Sequence, residues 1–429
     1  MFIFLSNRLL LNATTECSHF RRFGNVHVQS LGSAAVLWID DGFTIFGIKN
    51  DLVKIGHRRP GIDDSLICSF EWKIGASNLL VRRRWSGEFA LYYSIEGGDL
   101  CILSHLKLTR LLGQRFLTRP AIVEPGDNIQ LWSSHDRWTA RKPEKKGFSI
   151  PYTLSRDETV KEVRKLVLRS VAALPNNAAL LLSGGIDSAA IAVAACHLGK
   201  RFRAFTFSVS GLPMPPKAQD SDLLNARLVA NHLDIPLIEV SLLPKQLVRD
   251  LPLAVLLCET HRGTIVDPCA AFIATAKQMQ RRGYTRIWMG EPADDLFGAP
   301  EFVLRFFRGA RLRHYLREQI VCNSPNEMAV IQNVFAHYRL SVCYAYWTPK
   351  LANLGYNLPL RFRVDRHRFM KVVLREAFRD DLPEEIVWRP KCVPRDATGV
   401  RAVFEKVFGK SRDRYRRIFD SLFARKASN

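Results

Sequence analysis

The stretch Ala179-Leu180-Leu181-Leu182-Ser183-Gly184-Gly185-Ile186-Asp187-Ser188-Ala189-Ala190 decides the fold. An apolar run stops at Ser183, two glycines follow, and an alanine-rich helical pattern opens at about Ser188. The string reads as strand, tight loop, helix. Loop amides and a helix N-terminus then converge on one spot, which suits an oxyanion such as phosphate. Gly184 and Gly185 permit positive φ and close backbone approach, while Ser183 and Ser188 add hydroxyl donors. Asp187 is the odd member: a carboxylate in a phosphate cradle repels its ligand unless a divalent cation stands between them, so it implies Mg²⁺. The plainer alternative is a glycine-containing turn with Ser188 as a helix cap.

A chain of 429 residues has length for two or three domains and a sizeable core. Nine cysteines, an odd number with no Cys-x-x-Cys pair, argue against a disulfide framework or zinc site and for a reducing, cytoplasmic compartment. Met1-Phe2-Ile3-Phe4-Leu5 is apolar but is broken by Asn7 and Arg8, so it reads as a first strand and not a signal peptide. No apolar run approaches a membrane span. The net charge of +22 calls for an anionic partner, and residues 301–429 carry 26 basic against 13 acidic side chains.

Outward from the loop, residues 1 to about 140 look all-β. Ala34–Ile39, Gly42–Phe46, Leu66–Phe70, Trp85–Ser94 and Leu100–Leu103 are candidate strands, and Ile122–Leu131 reads as strand, Pro125-Gly126 turn, strand. Arg141–Gly147 is the expected linker, giving domains 1–147 and 148–429. A helix capped by Asp157 precedes the quoted strand. Strand Ala204–Val209, helix Asp222–Leu233, strand Leu237–Val240, a helix from about Pro268 to Arg282 and strand Arg286–Met289 follow. Such alternation predicts a parallel sheet with ligands at the carboxyl ends of its strands. Beyond residue 300 the pattern is mostly helical and arginine-rich.

Strand Arg286–Met289 runs into Gly290-Glu291-Pro292-Ala293-Asp294-Asp295-Leu296-Phe297-Gly298. Carboxylates this dense need a cation or a proton between them, and Asp294 pairs sensibly with Asp187 around one Mg²⁺. The alternative for the cluster is an acidic helix N-terminus favoured by the dipole.

Ser-Gly-Gly-Ile-Asp-Ser lacks the Gly-Lys-Ser/Thr ending of an ordinary P-loop. It resembles the pyrophosphate loop of ATP pyrophosphatases, which adenylate a substrate and release pyrophosphate. With the Gly290–Gly298 segment the chain resembles the asparagine synthetase family, whose second signature is close to Gly-Glu-Gly-Ala-Asp-Glu-Leu-Phe-Gly-Gly. Here Pro292, Asp295 and Ala299 depart from it. Ser221-Asp222 with Ala226 and Val229-Ala230 is similar to the family's Asp-Glu helix. Lys371–Ala377, Leu382-Pro383 and Arg389-Pro390-Lys391 are similar to its C-terminal series, and Gly87–Ala90 with Pro125-Gly126 to its N-terminal glutaminase-type domain.

The resemblance implies an α/β protein: an N-terminal degenerate Ntn-type β-sandwich, then an adenine-nucleotide α-hydrolase-like synthetase domain with a helical C-terminal part. It implies ATP and Mg²⁺. Ser183, Gly184, Gly185, Ile186, Asp187, Ser188 and Gly290 would bind ATP and pyrophosphate, and Asp187 and Asp294 the metal. Glu291 would lie beside the substrate as a base, and Lys391 would stabilise charge on the adenylate and the tetrahedral intermediate. From the residues alone, Lys391 is one solvated lysine among many.

Glutamine-using members carry their nucleophile as Cys directly after the initiator Met. Phe2 stands there in this chain, Cys17 is internal, and Ser104-His105 replace the family's Arg-Asp. The expected N-terminal domain is thus a sandwich without glutaminase activity. Among members lacking that activity, lasso-peptide cyclases adenylate an Asp or Glu side chain and close a macrolactam with the peptide's N-terminal amine. The cationic C-terminal helices (Arg305, Arg308, Arg311, Arg313, Arg317) and the aromatics Tyr344, Tyr346 and Trp347 suit a basic, aromatic-rimmed cavity for such a peptide. Alternatives for the two features are a solvated face and helix core. The partners implied are a precursor peptide, a leader peptidase and a leader-binding protein. The competing readings are a β-lactam synthetase, an ammonia-dependent asparagine synthetase, and a tRNA-modifying ATP pyrophosphatase. No zinc knuckle, catalytic cysteine pair or RNA-binding module supports the last of these.

Overall fold

The computed structural model describes residues 2–6, 26–31, 34–39, 44–49, 52–59, 63–73, 78–83, 89–96, 99–105, 120–134, 137–141, 152–211, 221–365, 369–391, 394–411 and 415–423. Cys17, Gly87-Glu88 and the expected linker after Arg141 lie outside these residues.

The N-terminal strands are β1 (Phe2–Ser6), β2 (Val26–Leu31), β3 (Ala34–Ile39), β4 (Thr44–Lys49), β5 (Leu52–Arg59), β6 (Asp63–Lys73), β7 (Asn78–Arg83), β8 (Tyr92–Glu96), β9 (Asp99–Leu103), β10 (Ala121–Ile122), β11 (Asn128–Ser134) and β12 (Arg137–Arg141). They form two six-stranded sheets, β10-β8-β9-β1-β3-β2 and β12-β11-β7-β6-β5-β4, antiparallel throughout. Strand alternation explains how they stack. Leu100 and Ile102 of β9 with Val36 of β3 meet Leu79 and Val81 of β7 and Ile129 and Leu131 of β11 in one core. Within the expected strand Trp85–Ser94, only Tyr92–Ser94 is strand among the described residues.

This sandwich is tied to the rest of the chain at two places. Buried Arg83 donates from Nη1 to the Val123 carbonyl at 2.9 Å and to Asn326 Oδ1 at 2.8 Å. Tyr92 Oη donates to Glu259 Oε2 at 3.3 Å.

The second part is built on β13 (Ala178–Leu181), β14 (Phe202–Val209), β15 (Leu237–Leu242), β16 (Arg286–Met289) and β17 (Ser341–Tyr344), in the order β15-β14-β13-β16-β17. Every pair is parallel, as the strand–helix alternation predicts. Ala178–Leu180, Phe205, Ile287 and Trp288 are fully buried among the helices, which is why β13, β14 and β16 read as apolar runs instead of alternating ones.

Four local expectations change. The helix before β13 is Arg156–Ala172, and its cap is Ser155 in a capping box with Glu158, not Asp157; Ser-x-x-Glu carries that signature. The helix expected from Pro268 begins at Gly263 and contains the proline. The bond Pro268 cannot make would go to Thr264, an exposed residue of the first turn that water can satisfy. Helix Pro244–Cys258 was not expected, although Leu247, Leu251, Ala254, Val255 and Cys258 are buried at helical spacing. The aromatic group is not a cavity rim: Tyr344 ends β17, and Tyr344, Tyr346 and Trp347 are buried in the core. It is core on and just after a strand, not on a helix.

Among the described residues no helix is long and apolar enough to cross a membrane.

Candidate active site

The sheet order places a switch point between β13 and β16: β14 and β15 lie to one side and β17 to the other. A crevice at the carboxyl ends of two such strands is the expected ligand site of an open parallel sheet. The residues singled out in the sequence meet there.

After β13 the chain turns through Gly184 at φ +69°. A Cβ on Gly184 would lie 2.2 Å from the Asn225 carbonyl carbon and 2.4 Å from the Ala226 nitrogen, so the loop lies directly on helix Asp222–His232. Ser183 N donates to Ser188 Oγ (3.1 Å) and Gly185 N to Ser183 Oγ (3.3 Å), which fixes the loop from within. The next helix starts at Ile186, two residues before the expected Ser188, with Gly185 as its N-cap and no side-chain cap. Ser188 is therefore inside the helix and does not cap it. The first helical amides are left to an anion.

After β16 comes Gly290, whose Cβ would lie 3.1 Å from Asp187 Cβ. That close approach sets the two loops against each other and brings Asp294, in helix Ala293–Phe297, to Asp187. Lys371 completes the arrangement. Its Nζ hydrogen-bonds Asp187 Oδ2 and lies 2.7 Å from Asp294 Oδ1. Lys391 Nζ lies 2.6 Å from Asp294 Oδ2 and 4.0 Å from Asp187 Oδ2. Two ammonium groups face two carboxylates.

The electrostatics follow from this crowding. Burial raises the Asp294 pKa, and Lys371 and Lys391 more than reverse that, holding it below the usual carboxylate range. Asp294 still keeps 43 % of its side-chain surface open and Lys391 31 %, as groups lining an open crevice inside the protein do. Burial opposes the Lys391 charge, but Asp294 and Asp187 outweigh it and raise its pKa above the ordinary lysine value. Glu291 has no such pair. Burial lifts its carboxyl to about 7, with hydrogen bonding to its own backbone and Lys391 only partly opposing the shift. A carboxyl near 7 suits proton transfer.

The sequence reading set Mg²⁺ between Asp187 and Asp294; the position is held by Lys371. The carboxylates nevertheless fit a metal. Asp187 Oδ1 and Asp294 Oδ1 are buried without a hydrogen-bond donor, since the 2.7 Å approach of Lys371 lacks hydrogen-bond geometry. Among the described residues no group of three or more His, Cys, Asp or Glu forms a metal cage. One or two carboxylates completed by substrate phosphates is the usual Mg²⁺ arrangement.

A C-terminal segment supplies both lysines. Arg389 donates from Nη2 to Asp222 Oδ1 at 2.8 Å and from Nη1 to the Ser183 carbonyl at 2.9 Å. Arg375 donates to the carbonyls of Met370 (2.7 Å) and Arg389 (3.0 Å), joining the Lys371 end of the segment to the Lys391 end. Burial raises the Asp222 pKa even though Arg389 opposes it, so this ion pair exists at a desolvation cost. Replacing Arg389 with Met leaves a buried carboxyl without that partner. The expected loss is about 3–5 kcal/mol of stability, read as a lower melting temperature, with weaker nucleotide binding because Ser183 loses its strut. An unchanged melting temperature would remove the strut from the account.

The sequence model of the asparagine synthase family matches residues 162–336 and 333–428. The chain belongs to the asparagine synthase family. Enzymes of the asparagine synthase family use ATP, usually with Mg²⁺, and this chain is an ATP-using ligase of that kind. The match begins at residue 162, so the N-terminal sheets lie outside it. Among solved structures, an NMN synthetase from Francisella tularensis is similar with a TM-score of 0.32 and 16 % identity, over 64 % of this chain and 89 % of that one. Comparison with curated proteins gives no match.

Reading the asparagine synthase signatures from sequence located Ser183–Ser188, Gly290, Glu291, Asp294 and Lys391, and these residues lie together. Lys371, Arg375 and Arg389 belong to the C-terminal series that resembles the family's, but nothing local in the sequence gives them roles. Lys371 is 184 positions from Asp187, and no local periodicity links residues so far apart. Tyr346, read as cavity lining, instead donates to the Asp187 carbonyl at 2.7 Å and fixes that turn from below. Arg305, Arg308, Arg311 and Arg313 are exposed, whereas Arg317 stacks over the Tyr356 ring at 4.7 Å.

Proposed function

We propose that this protein is a lasso-peptide macrolactam synthetase: it adenylates an Asp or Glu side chain of a precursor peptide and closes the ring with the peptide's N-terminal amine. The observation that carries the amide-forming chemistry is the convergence of Lys391 and Glu291 beside Asp294. An amine nucleophile arrives protonated, and Glu291 with a pKa of about 7 suits the base that receives its proton. Lys391 supplies the cation for the oxyanion. A Mg²⁺ ion held by Asp187 and Asp294 would neutralise the leaving pyrophosphate.

In this reading the peptide carboxylate attacks the α-phosphorus of ATP and pyrophosphate leaves toward Ser183–Ser188. Glu291 takes one proton from the ammonium and frees its lone pair, the amine nitrogen attacks the acyl carbon, AMP departs with the carboxylate oxygen, and the second nitrogen proton is lost to the departing AMP or to solvent. Tethering both ends of one peptide gives the effective concentration the second step needs.

Two features of the N-terminal sheets support an amine drawn from the substrate and not from glutamine. Cys101 is fully buried and burial pushes its thiol up, the reverse of what a nucleophilic cysteine needs. Ser104 Oγ lies 2.8 Å from His105 Nδ1 in a buried pair, where the resemblance expects Arg-Asp. The exposed arginines around Arg308 and Arg311 are our candidate surface for an acidic stretch of the peptide or for a leader peptidase and its leader-binding protein.

The deciding measurement is pyrophosphate release by purified protein with leaderless precursor peptide. We expect release that depends on the peptide and is indifferent to ammonia and glutamine. Release that needs ammonia and not the peptide overturns this reading in favour of an ammonia-dependent asparagine synthetase; release with a small β-amino acid alone favours a β-lactam synthetase.

The pH dependence tests Glu291 by itself. Its carboxylate is the active base, so the ring-closing rate should rise with pH through about 7 and then level. Glu291→Gln should remove that rise. The stability effect has the opposite sign. A folded-state pKa raised from 4.5 to about 7 contributes stability that is full below the unfolded value and is lost as pH climbs through 7. Glu291→Gln should therefore flatten the fall in melting temperature between pH 5 and pH 8. A rate rise that survives the substitution assigns the base elsewhere.

A further inference from the structure

Lys371 is buried, charged and unused in the reaction above. Its side chain is 2 % exposed, and its ammonium touches the two carboxylates assigned to the metal. Its backbone is left-handed at φ +63°, a conformation that costs a β-carbon-bearing residue of order 1 kcal/mol. Three backbone hydrogen bonds hold it there: Lys371 N to the Arg363 carbonyl (2.7 Å), and Leu374 N and Arg375 N to the Lys371 carbonyl (3.0 and 2.9 Å). The chain thus adopts a disfavoured conformation at the residue whose ammonium reaches Asp187 and Asp294. Lys391 does not duplicate the contact, since it is 4.0 Å from Asp187.

We propose that Lys371 is an internal counter-cation that occupies the Asp187–Asp294 position in the nucleotide-free protein, so that a divalent cation binds there only together with ATP. The inference rests on the assignment of these two aspartates as metal ligands. Charge balance carries it. Lys371 and Lys391 already balance Asp187 and Asp294, and a divalent ion alone adds about two positive charges, of which an ionised Glu291 offsets at most one. A metal–triphosphate complex instead brings a net negative charge of about two, facing the uncapped helix at Ile186 and the loop amides, which favour it. The four-carbon stem of Lys371 lets its ammonium exchange a carboxylate oxygen for a phosphate oxygen as the complex arrives. Metal and nucleotide then enter as one ligand, and the free enzyme does not hold Mg²⁺ at its carboxylates.

The test is Mn²⁺ binding to the full-length protein, followed by electron paramagnetic resonance, with and without α,β-methylene-ATP. The nucleotide-free wild type should bind Mn²⁺ at this site at least tenfold more weakly than Lys371→Met does, and Lys371→Arg should behave as wild type. With the analogue, the wild type should hold one Mn²⁺ that Asp294→Asn loses. If Lys371→Met gains nothing, the counter-cation role is wrong. If the nucleotide-free wild type takes up one Mn²⁺ tightly and Asp294→Asn abolishes it, the role is also wrong, and that result does not depend on any Lys371 variant folding. If no protein-bound Mn²⁺ forms even with the analogue, the metal assignment fails, a pattern distinct from the other two.

Discussion

Replacing Lys391 with alanine should lower turnover by about 10²–10³-fold, the usual loss when one preorganised donor to a developing anion is removed. Lys391 lies 2.6 Å from Asp294 and is 31 % exposed, at the mouth of the crevice. It can thus reach negative charge that builds first on the α-phosphate and then on the acyl oxygen. The substitution should change the melting temperature little, because Asp294 is 43 % exposed, so water can take the place of the lost hydrogen bond, and the Lys371 charge stays 2.7 Å away. Nucleotide affinity by calorimetry should shift only a few fold, which separates a lost transition-state contact from a lost binding site. Lys391→Arg should recover only part of the rate, since a planar fork does not replace a compact point charge. Pyrophosphate release within fivefold of wild type in Lys391→Ala would take this lysine out of the chemistry.

The second large effect lies at Gly184. Gly184→Ala should lower the melting temperature by roughly 10 °C and abolish ATP binding. Two penalties add. An alanine at φ +69° costs about 1 kcal/mol. Its methyl group would also sit 2.2 and 2.4 Å from backbone atoms of Asn225 and Ala226, which cannot rotate aside as a side chain would, and such overpacking costs about 1–3 kcal/mol. A loss of about 3 kcal/mol corresponds to roughly 6–12 °C in a domain of this size. Relief would require helix Asp222–His232 to move, and with it Asp222, which braces Arg389 and so Ser183. Gly283→Ala is the control. Its φ is +79° but nothing lies within 4 Å of its Cβ, so it should show the conformational penalty alone and leave ATP binding intact. Equal effects of the two substitutions would mean that the packing of Gly184 on the helix does not matter.

What could be read from the sequence divides along a physical line. Ser183–Ser188 is a local device: strand end, glycines and helix start are consecutive, and each residue's preference shows in the string itself. The same holds for Gly290–Gly298 and for β13, β14 and β16, whose apolar runs reflect burial on both faces, and for edge strand β15, whose Val240 and Leu242 alternate with exposed Glu239 and Ser241. Where neighbouring signals competed, boundaries moved. Ser155 with Glu158 outweighed Asp157 as a cap, and Pro268 sits inside the helix it was expected to start. β17 falls in a stretch whose pattern is mostly helical, and a short, fully buried run has no alternation to mark it as a strand.

By itself, the sequence determined the chemistry of the cradle: an oxyanion loop, two carboxylates near it, and a parallel sheet to present them. Only the tertiary structure decided what stands among those carboxylates. Asp187, Asp294 and the Lys371–Lys391 pair come from three segments far apart in the chain, and their charges interact only across the few ångströms that folding creates. The order β14-β13-β16 sets the two loops side by side, the contact of Gly290 with Asp187 fixes their spacing, and the Arg375–Arg389 ties bring both lysines over the same point. Local preferences are carried by neighbours in the chain, whereas Coulomb energies and pKa values depend on distance and burial. The loop was therefore legible, and the ammonium of Lys371 between its carboxylates was not.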